Sequence, residues 1–141
     1  MPQPDSIRGS LDDLKRPFVK LSVSGFPEPV TAFIDTGFNG SLIIDRYQAE
    51  RMGLQITIQH SLSAVLASQQ PEVFHLSRGR ISWLGEEPFI SPLVIRETEQ
   101  ERLARRRRKT QEEIILGVEL LLNCKLGIDF QAKSVIVTRL R

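Results

Sequence analysis

The chain has 141 residues, which is enough for one ordinary domain around one core and too few for two. Hydrophobic residues make up 40% and charged residues 26%, a globular balance that excludes a wholly disordered chain, a collagen-like repeat and a membrane protein. The formal net charge of +2 is nearly balanced and does not by itself point to nucleic acid.

Apolar runs are short: Ile114 to Val118 is cut by Glu119, and Leu120 to Leu122 by Asn123, so no helix that spans a bilayer is expected. The start, Met1-Pro2-Gln3-Pro4-Asp5-Ser6, lacks the apolar core of a signal peptide. Cys124 is the single cysteine, so no intrachain disulfide can form, and a cytoplasmic location is expected.

Residues 1 to about 15 carry two prolines, few apolar residues and several charges, which reads as a flexible N-terminal arm ahead of a domain over 16–141. Phe18, Leu21 and Val23 lie in a β-type stretch closed by Gly25, and Phe26-Pro27-Glu28-Pro29 makes a turn. Val30 to Ile34 is a short apolar run of buried-strand character. It leads into Asp35-Thr36-Gly37-Phe38-Asn39-Gly40, where the glycines and Asn predict a sharp turn. Ser41 to Ile44 predicts another strand. Asp45 predicts the cap of a helix from about Arg46 to Met52 that stops at Gly53.

Alternation at Ile56 and Ile58, continuing through Leu62, Ala64 and Leu66, predicts a half-buried strand that turns at Ser68-Gln69-Gln70-Pro71. Val73, His75, Ile81 and Trp83 continue the sheet to a bend at Gly85, and Phe89 to Ile95 is again strand-like. A charged insertion follows at about 96–113, with seven bases and five acids that carry the whole excess of +2. Its i,i+4 pairs (Glu101 with Arg105, Arg108 with Glu112, Lys109 with Glu113) fit a solvated helix, and a disordered loop fits equally. Ile114-Ile115-Leu116-Gly117 comes next, then a short helix over Val118 to Asn123. A hairpin of Leu126 to Phe130 and Ser134 to Leu140 ends the chain. Many short strands with one or two short helices predict a mainly-β fold, a small closed barrel or folded sheet.

His60 and His75 have no metal-ligand spacing and Cys124 has no companion, so neither a metal nor a cofactor is expected. There is no Gly-x-Ser-x-Gly elbow and no phosphate-cradling loop. Asp35 stands out because a carboxylate at the end of an apolar strand is costly to bury unless hydrogen-bonded, and the glycine turn after it supplies N–H groups. Elsewhere the structural readings prevail. Trp83 reads as packing, His75 as a sheet-surface residue, Asp45 as a cap, Asp129 as structural and Cys124 as a small buried or half-buried apolar group.

Three ordered pieces carry a family resemblance: Asp35-Thr36-Gly37-Phe38-Asn39-Gly40, Leu116-Gly117-Val118-Glu119-Leu120-Leu121 and Leu126-Gly127-Ile128-Asp129-Phe130. Over about residues 17 to 140 the chain resembles the retroviral-type (retropepsin-like) aspartic proteases, most closely their small bacterial and archaeal members. The resemblance implies the acid protease fold and an aspartic endopeptidase with Asp35 as the catalytic carboxylate. It implies a homodimer, since one Asp-Thr-Gly supplies only one of the two carboxylates the reaction needs.

It further implies that Thr36 and Gly37 support the active-site loop and that Leu116 and Gly117 pack beneath it. Phe38 and a flap from about Leu62 to Phe74, with Ala67, Ser68 and Gln69 at its tip, would line the cleft for a peptide or protein substrate. The terminal strand, Val135 to Leu140, would be free to join a dimer sheet. The flap tip departs from the pattern in having no glycine and a proline, which predicts a less mobile flap. Asn39 and Val118 replace a charged pair that retroviral enzymes often carry.

Two other readings stay open at this point. One is a non-proteolytic dimerisation or peptide-binding module on the same fold. The other is polyanion binding through Arg105, Arg106, Arg107, Arg108 and Lys109, where no aromatic residue is interleaved to stack bases.

Overall fold

The computed structural model describes residues 6–23, 28–65, 71–95, 100, 103–104 and 114–140. Its elements in chain order are strands β1 (Ser6–Leu11), β2 (Pro17–Val23), β3 (Val30–Ile34) and β4 (Leu42–Ile44), then helix α1 (Arg46–Arg51). Strands β5 (Gln55–Val65), β6 (Pro71–Ser82), β7 (Phe89–Ile90), β8 (Leu93–Ile95) and β9 (Ile114–Leu116) follow. Helix α2 (Val118–Leu121), β10 (Cys124–Asp129) and β11 (Ser134–Arg139) complete the chain. The protein is mainly β, with one mixed sheet and short helices.

The strand order is β10-β11-β1-β2-β3-β9-β4-β8-β6-β5, with β7 paired to β6. The last two residues of β2 also pair with β6, Ser22 opposite Ser82 and Val23 opposite Ile81, so the sheet folds back on itself. Inside the fold runs one apolar layer. Val135, Gly9, Val19, Ala32 and Ile114 are lateral neighbours across five strands. Ile34, Leu116 and Leu42 form a parallel row. All the side chains in these rows are buried, and each fully buried Leu or Ile contributes about 1.5–3 kcal/mol. Gly9 must be glycine because a Cβ there would run into the Phe18 carbonyl.

The opposite face carries a second row, Phe18, Phe33, Ile115, Ile43, Leu93 and Leu76, again in register across neighbouring strands. Ile43, Phe38 and Phe74 are the buried centre of a second cluster on this side. A sheet apolar on both faces has continuous apolar strands, which is why Leu42–Ile44 and Ile114–Leu116 lack alternation.

The expected helix after Asp45 is present. Asp45 accepts from the Gln48 N–H at 2.8 Å, and Gly53, at φ +69°, ends the helix. The predicted terminal hairpin is β10–β11, with the Gln131 and Ala132 N–H groups both held by Asp129 Oδ1 at 3.0 Å. Trp83 is buried, and its Nε1 donates to the Leu120 carbonyl at 3.0 Å, satisfying one of the open carbonyls of α2. Among the described residues no helix is long and apolar enough to cross a membrane.

Four expectations are corrected. The flexible arm over residues 1–15 does not hold for its second half: Ser6–Leu11 is a strand hydrogen-bonded to β11 on one side and β2 on the other. A backbone ladder on both edges holds it, so it needs few apolar side chains. The terminal strand is not free to join a dimer sheet, because β10 and β1 fill both its edges. Phe89 to Ile95 is two strands, interrupted at Ser91 and Pro92. His75 is 6% exposed rather than at the surface, since β6 lies between β5 and β8. The charged insertion is described only at Gln100, Leu103 and Ala104, all helical; Arg105 to Lys109 lie outside the described residues.

Candidate active site

Asp35 follows the last residue of β3, and its position is fixed through its backbone. Its N–H donates to the Leu116 carbonyl at 2.9 Å, extending the parallel β3–β9 ladder by one bond. Its carbonyl accepts from the Phe38 N–H at 3.2 Å, closing the turn. Its side-chain Oδ1 accepts from the Gly37 N–H at 2.9 Å. Among the described residues Asp35 forms no ion pair, and Oδ2 takes no hydrogen bond. One carboxylate oxygen is therefore held and the other is left open. A Cβ on Gly37 would stand 3.2 Å from Oδ1, so a larger residue there would crowd the carboxylate.

The turn rests on a floor built from a distant part of the chain. β9 lies between β3 and β4, parallel to the first and antiparallel to the second. Immediately after it, the Gly117 N–H donates to the Ser41 carbonyl at 2.8 Å. Val118 N–H donates to the Phe38 carbonyl at 2.8 Å, and Glu119 N–H to the Gly40 carbonyl at 3.2 Å. The first N–H groups of α2, which no helix can satisfy internally, are thus satisfied by the carbonyls of the Asp35 turn. A Cβ at Gly117 would collide with the Gly40 carbonyl oxygen and the Phe38 ring, so this close approach requires glycine. Leu116 is fully buried below.

The other residues singled out from the sequence fall in different places. Thr36 is exposed and its hydroxyl has no hydrogen-bond partner among the described residues. Phe38, expected on the cleft wall, is 9% exposed and packs in the second cluster with Ile43 and Phe74. The flap expected from Leu62 to Phe74 coincides with the far end of the β5–β6 hairpin, paired from Ser61–His75 to Val65–Pro71. Its tip, with Ala67, Ser68 and Gln69, lies outside the described residues. Phe74, fully buried in the same cluster as Phe38, ties the hairpin to the Asp35 turn.

Three residues packed together at the end of β3 that leads into Asp35 were not singled out from the sequence. Phe33, two residues before Asp35, packs tilted against Phe18, with ring centroids 5.8 Å apart at 59°. The Arg16 guanidinium lies 4.3 Å over the Phe33 ring and pairs with Asp12 at 2.7 Å. Only the strand register discloses this neighbourhood. Among the described residues no group of three or more His, Cys, Asp and Glu comes together.

No protein-family model matches this chain, and no curated protein matches it.

Proposed function

We propose that the protein is an aspartic endopeptidase of the retropepsin-like type, a homodimer in which Asp35 of each copy faces its twin across a two-fold axis. On this reading the folded-back sheet is a small closed acid-protease barrel. The observation that carries the reading is the Asp35-Thr36-Gly37 turn fixed on Leu116 and Gly117, with one Asp35 oxygen tied to Gly37 and the other open. An aspartate serving only as a turn cap has no need of a floor brought from so far along the chain. The unpartnered Thr36 hydroxyl fits a bond made to the second copy.

The chemistry follows from two carboxylates that cannot both ionise when close. The ionised one takes a proton from a water, whose oxygen forms a bond to the scissile carbonyl carbon. The protonated one hydrogen-bonds the carbonyl oxygen and supports the tetrahedral intermediate. A proton delivered to the amide nitrogen lets the C–N bond break, giving a carboxylic acid and an amine. The cycle needs one carboxylate protonated and the other ionised, so the rate should have a bell-shaped pH profile centred on mildly acidic pH.

The test is cleavage of a quenched fluorescent peptide library from about pH 4 to 8, wild type beside Asp35→Asn. The expected result is a loss of about a hundredfold or more in kcat in the variant, with the fold and the dimer retained. Full activity in Asp35→Asn would remove Asp35 from the mechanism. A folded dimeric wild type that cleaves nothing would favour the peptide-binding module on the same fold.

A further inference from the structure

Far down β6 from the hairpin tip, burial alternates: Ser77 and Ile81 are buried, while Arg78 and Arg80 are exposed on one face. β7 lies beside them, with Phe89 directly opposite Arg80. Phe89 is 56% exposed, high for an aromatic ring. The Arg78 guanidinium carbon is 5.3 Å from the ring centroid and that of Arg80 is 5.2 Å. No carboxylate pairs with either guanidinium among the described residues, although other arginines of the chain do pair, Arg16 with Asp12 and Arg139 with Glu86.

Two cations held over one ring repel each other and are not neutralised, so an anion that meets both relieves an unfavourable arrangement. The ring engages a guanidinium as a cation without using its N–H donors in hydrogen bonds, and such donors match carboxylate oxygens two at a time. Side chains at alternate positions of an extended strand are about 6.6 Å apart, the spacing of Arg78 and Arg80 themselves. An extended peptide with acids at alternate positions repeats that spacing. Among the described strands β7 pairs with β6 alone, which leaves its other edge for such a segment to lie along. The Phe89 ring is already engaged by two guanidinia, so it is not the open platform on which a nucleobase stacks.

We propose that Arg78, Arg80 and Phe89 form a docking site for an extended acidic segment of a partner protein. The site is separate from Asp35. Phe74, which packs beside the catalytic turn, is four residues from Arg78 and six from Arg80, about 13 and 20 Å along the strand. The proposal does not depend on the protein being a protease.

The test is fluorescence anisotropy with a labelled peptide of alternating Glu and Ala, its Gln counterpart, and a labelled oligo-dT of equal charge. The full-length Asp35→Asn protein is used, so that nothing is hydrolysed, with Arg78→Gln/Arg80→Gln added. Arg8→Gln/Lys125→Gln, which removes two exposed cations elsewhere, is the charge-matched control. The expected result is that the Glu peptide binds and the Gln peptide does not. Affinity should fall about tenfold or more in Arg78→Gln/Arg80→Gln and stay within about twofold of the parent in the control. Phe89→Leu, which keeps the fold but removes the ring, should weaken binding by several-fold. Equal losses in the two double variants would mean bulk charge only and overturn the site. Failure of the Glu peptide to bind, or binding indifferent to Arg78 and Arg80, would do the same. Tighter binding of oligo-dT that depends on Arg78 and Arg80 would assign the surface to nucleic acid instead.

Discussion

Asp12 organises the turn between β1 and β2 with one carboxylate. Oδ1 accepts from the Leu14 and Arg16 N–H groups at 3.0 and 2.8 Å, and Oδ2 holds the Arg16 guanidinium. Burial pushes the Asp12 carboxyl up, but the Arg16 backbone and side chain, with the Leu14 N–H, pull it below its ordinary 3.8. A carboxyl lowered by folding stabilises fully above its ordinary value and loses that contribution as pH falls through the lowered one. Asp12→Asn should therefore lower the thermal midpoint at neutral pH, and the midpoints of variant and wild type should converge as pH falls through the lowered value. Melting curves across that range decide it; a constant gap would mean that ionisation of Asp12 is not what holds the turn. The cap at Asp45 and the turn at Asp129 were legible because Asp before a short helix or in a hairpin signals locally. The Asp12 turn was not legible, because its positive-φ residue is Lys15, at 64°, where the sequence offers no glycine. The bend after Trp83 shows both cases, with Leu84 at φ 51° hidden and Gly85 at φ 80° visible.

At the scale of elements, β1 is the place where composition misled. Its Leu11 is buried and its Ile7 half-buried, but most of its hold comes from two backbone ladders that leave no mark on the side-chain pattern. Removing residues 1–11 should cost about 3 kcal/mol or more from the lost burial of Leu11 and Ile7. It should also open two strand edges, β11 and β2, so the truncated protein should self-associate. Denaturant titration and size-exclusion chromatography check this; a truncated chain as stable and as soluble as the parent would show β1 to be dispensable. The long hairpin of β5 and β6 was legible from its alternation, and α1 from its cap and stop. The break between β7 and β8 sits at a proline that the sequence displays, Pro92, whose carbonyl serves the Ser77 N–H and hydroxyl at 3.0 and 2.9 Å.

At the scale of the whole molecule, local signals disclosed most of the strands but not their order. Nothing near residues 114–116 says that this strand separates β3 from β4; the resemblance alone supplied that Leu116 and Gly117 belong under Asp35. The likeness was carried by three short motifs, and the neighbourhood of Arg16, Phe18 and Phe33 lay outside all of them. The insertion of β9 also orders events in time. The Asp35 N–H and its acceptor on Leu116 are about eighty residues apart, and contacts of that separation form late because loop closure must come first. In pulsed hydrogen exchange during refolding, the Asp35, Gly117 and Val118 amides should gain protection together and after the β10–β11 hairpin; earlier protection of Asp35 would refute this order. A ribosome that has delivered only the first hundred residues has released an Asp-Thr-Gly segment with no floor beneath it. The Asp35 turn is assembled only after residues 114–119 have been made, so a nascent chain that stops short of them holds Asp35 in no fixed geometry.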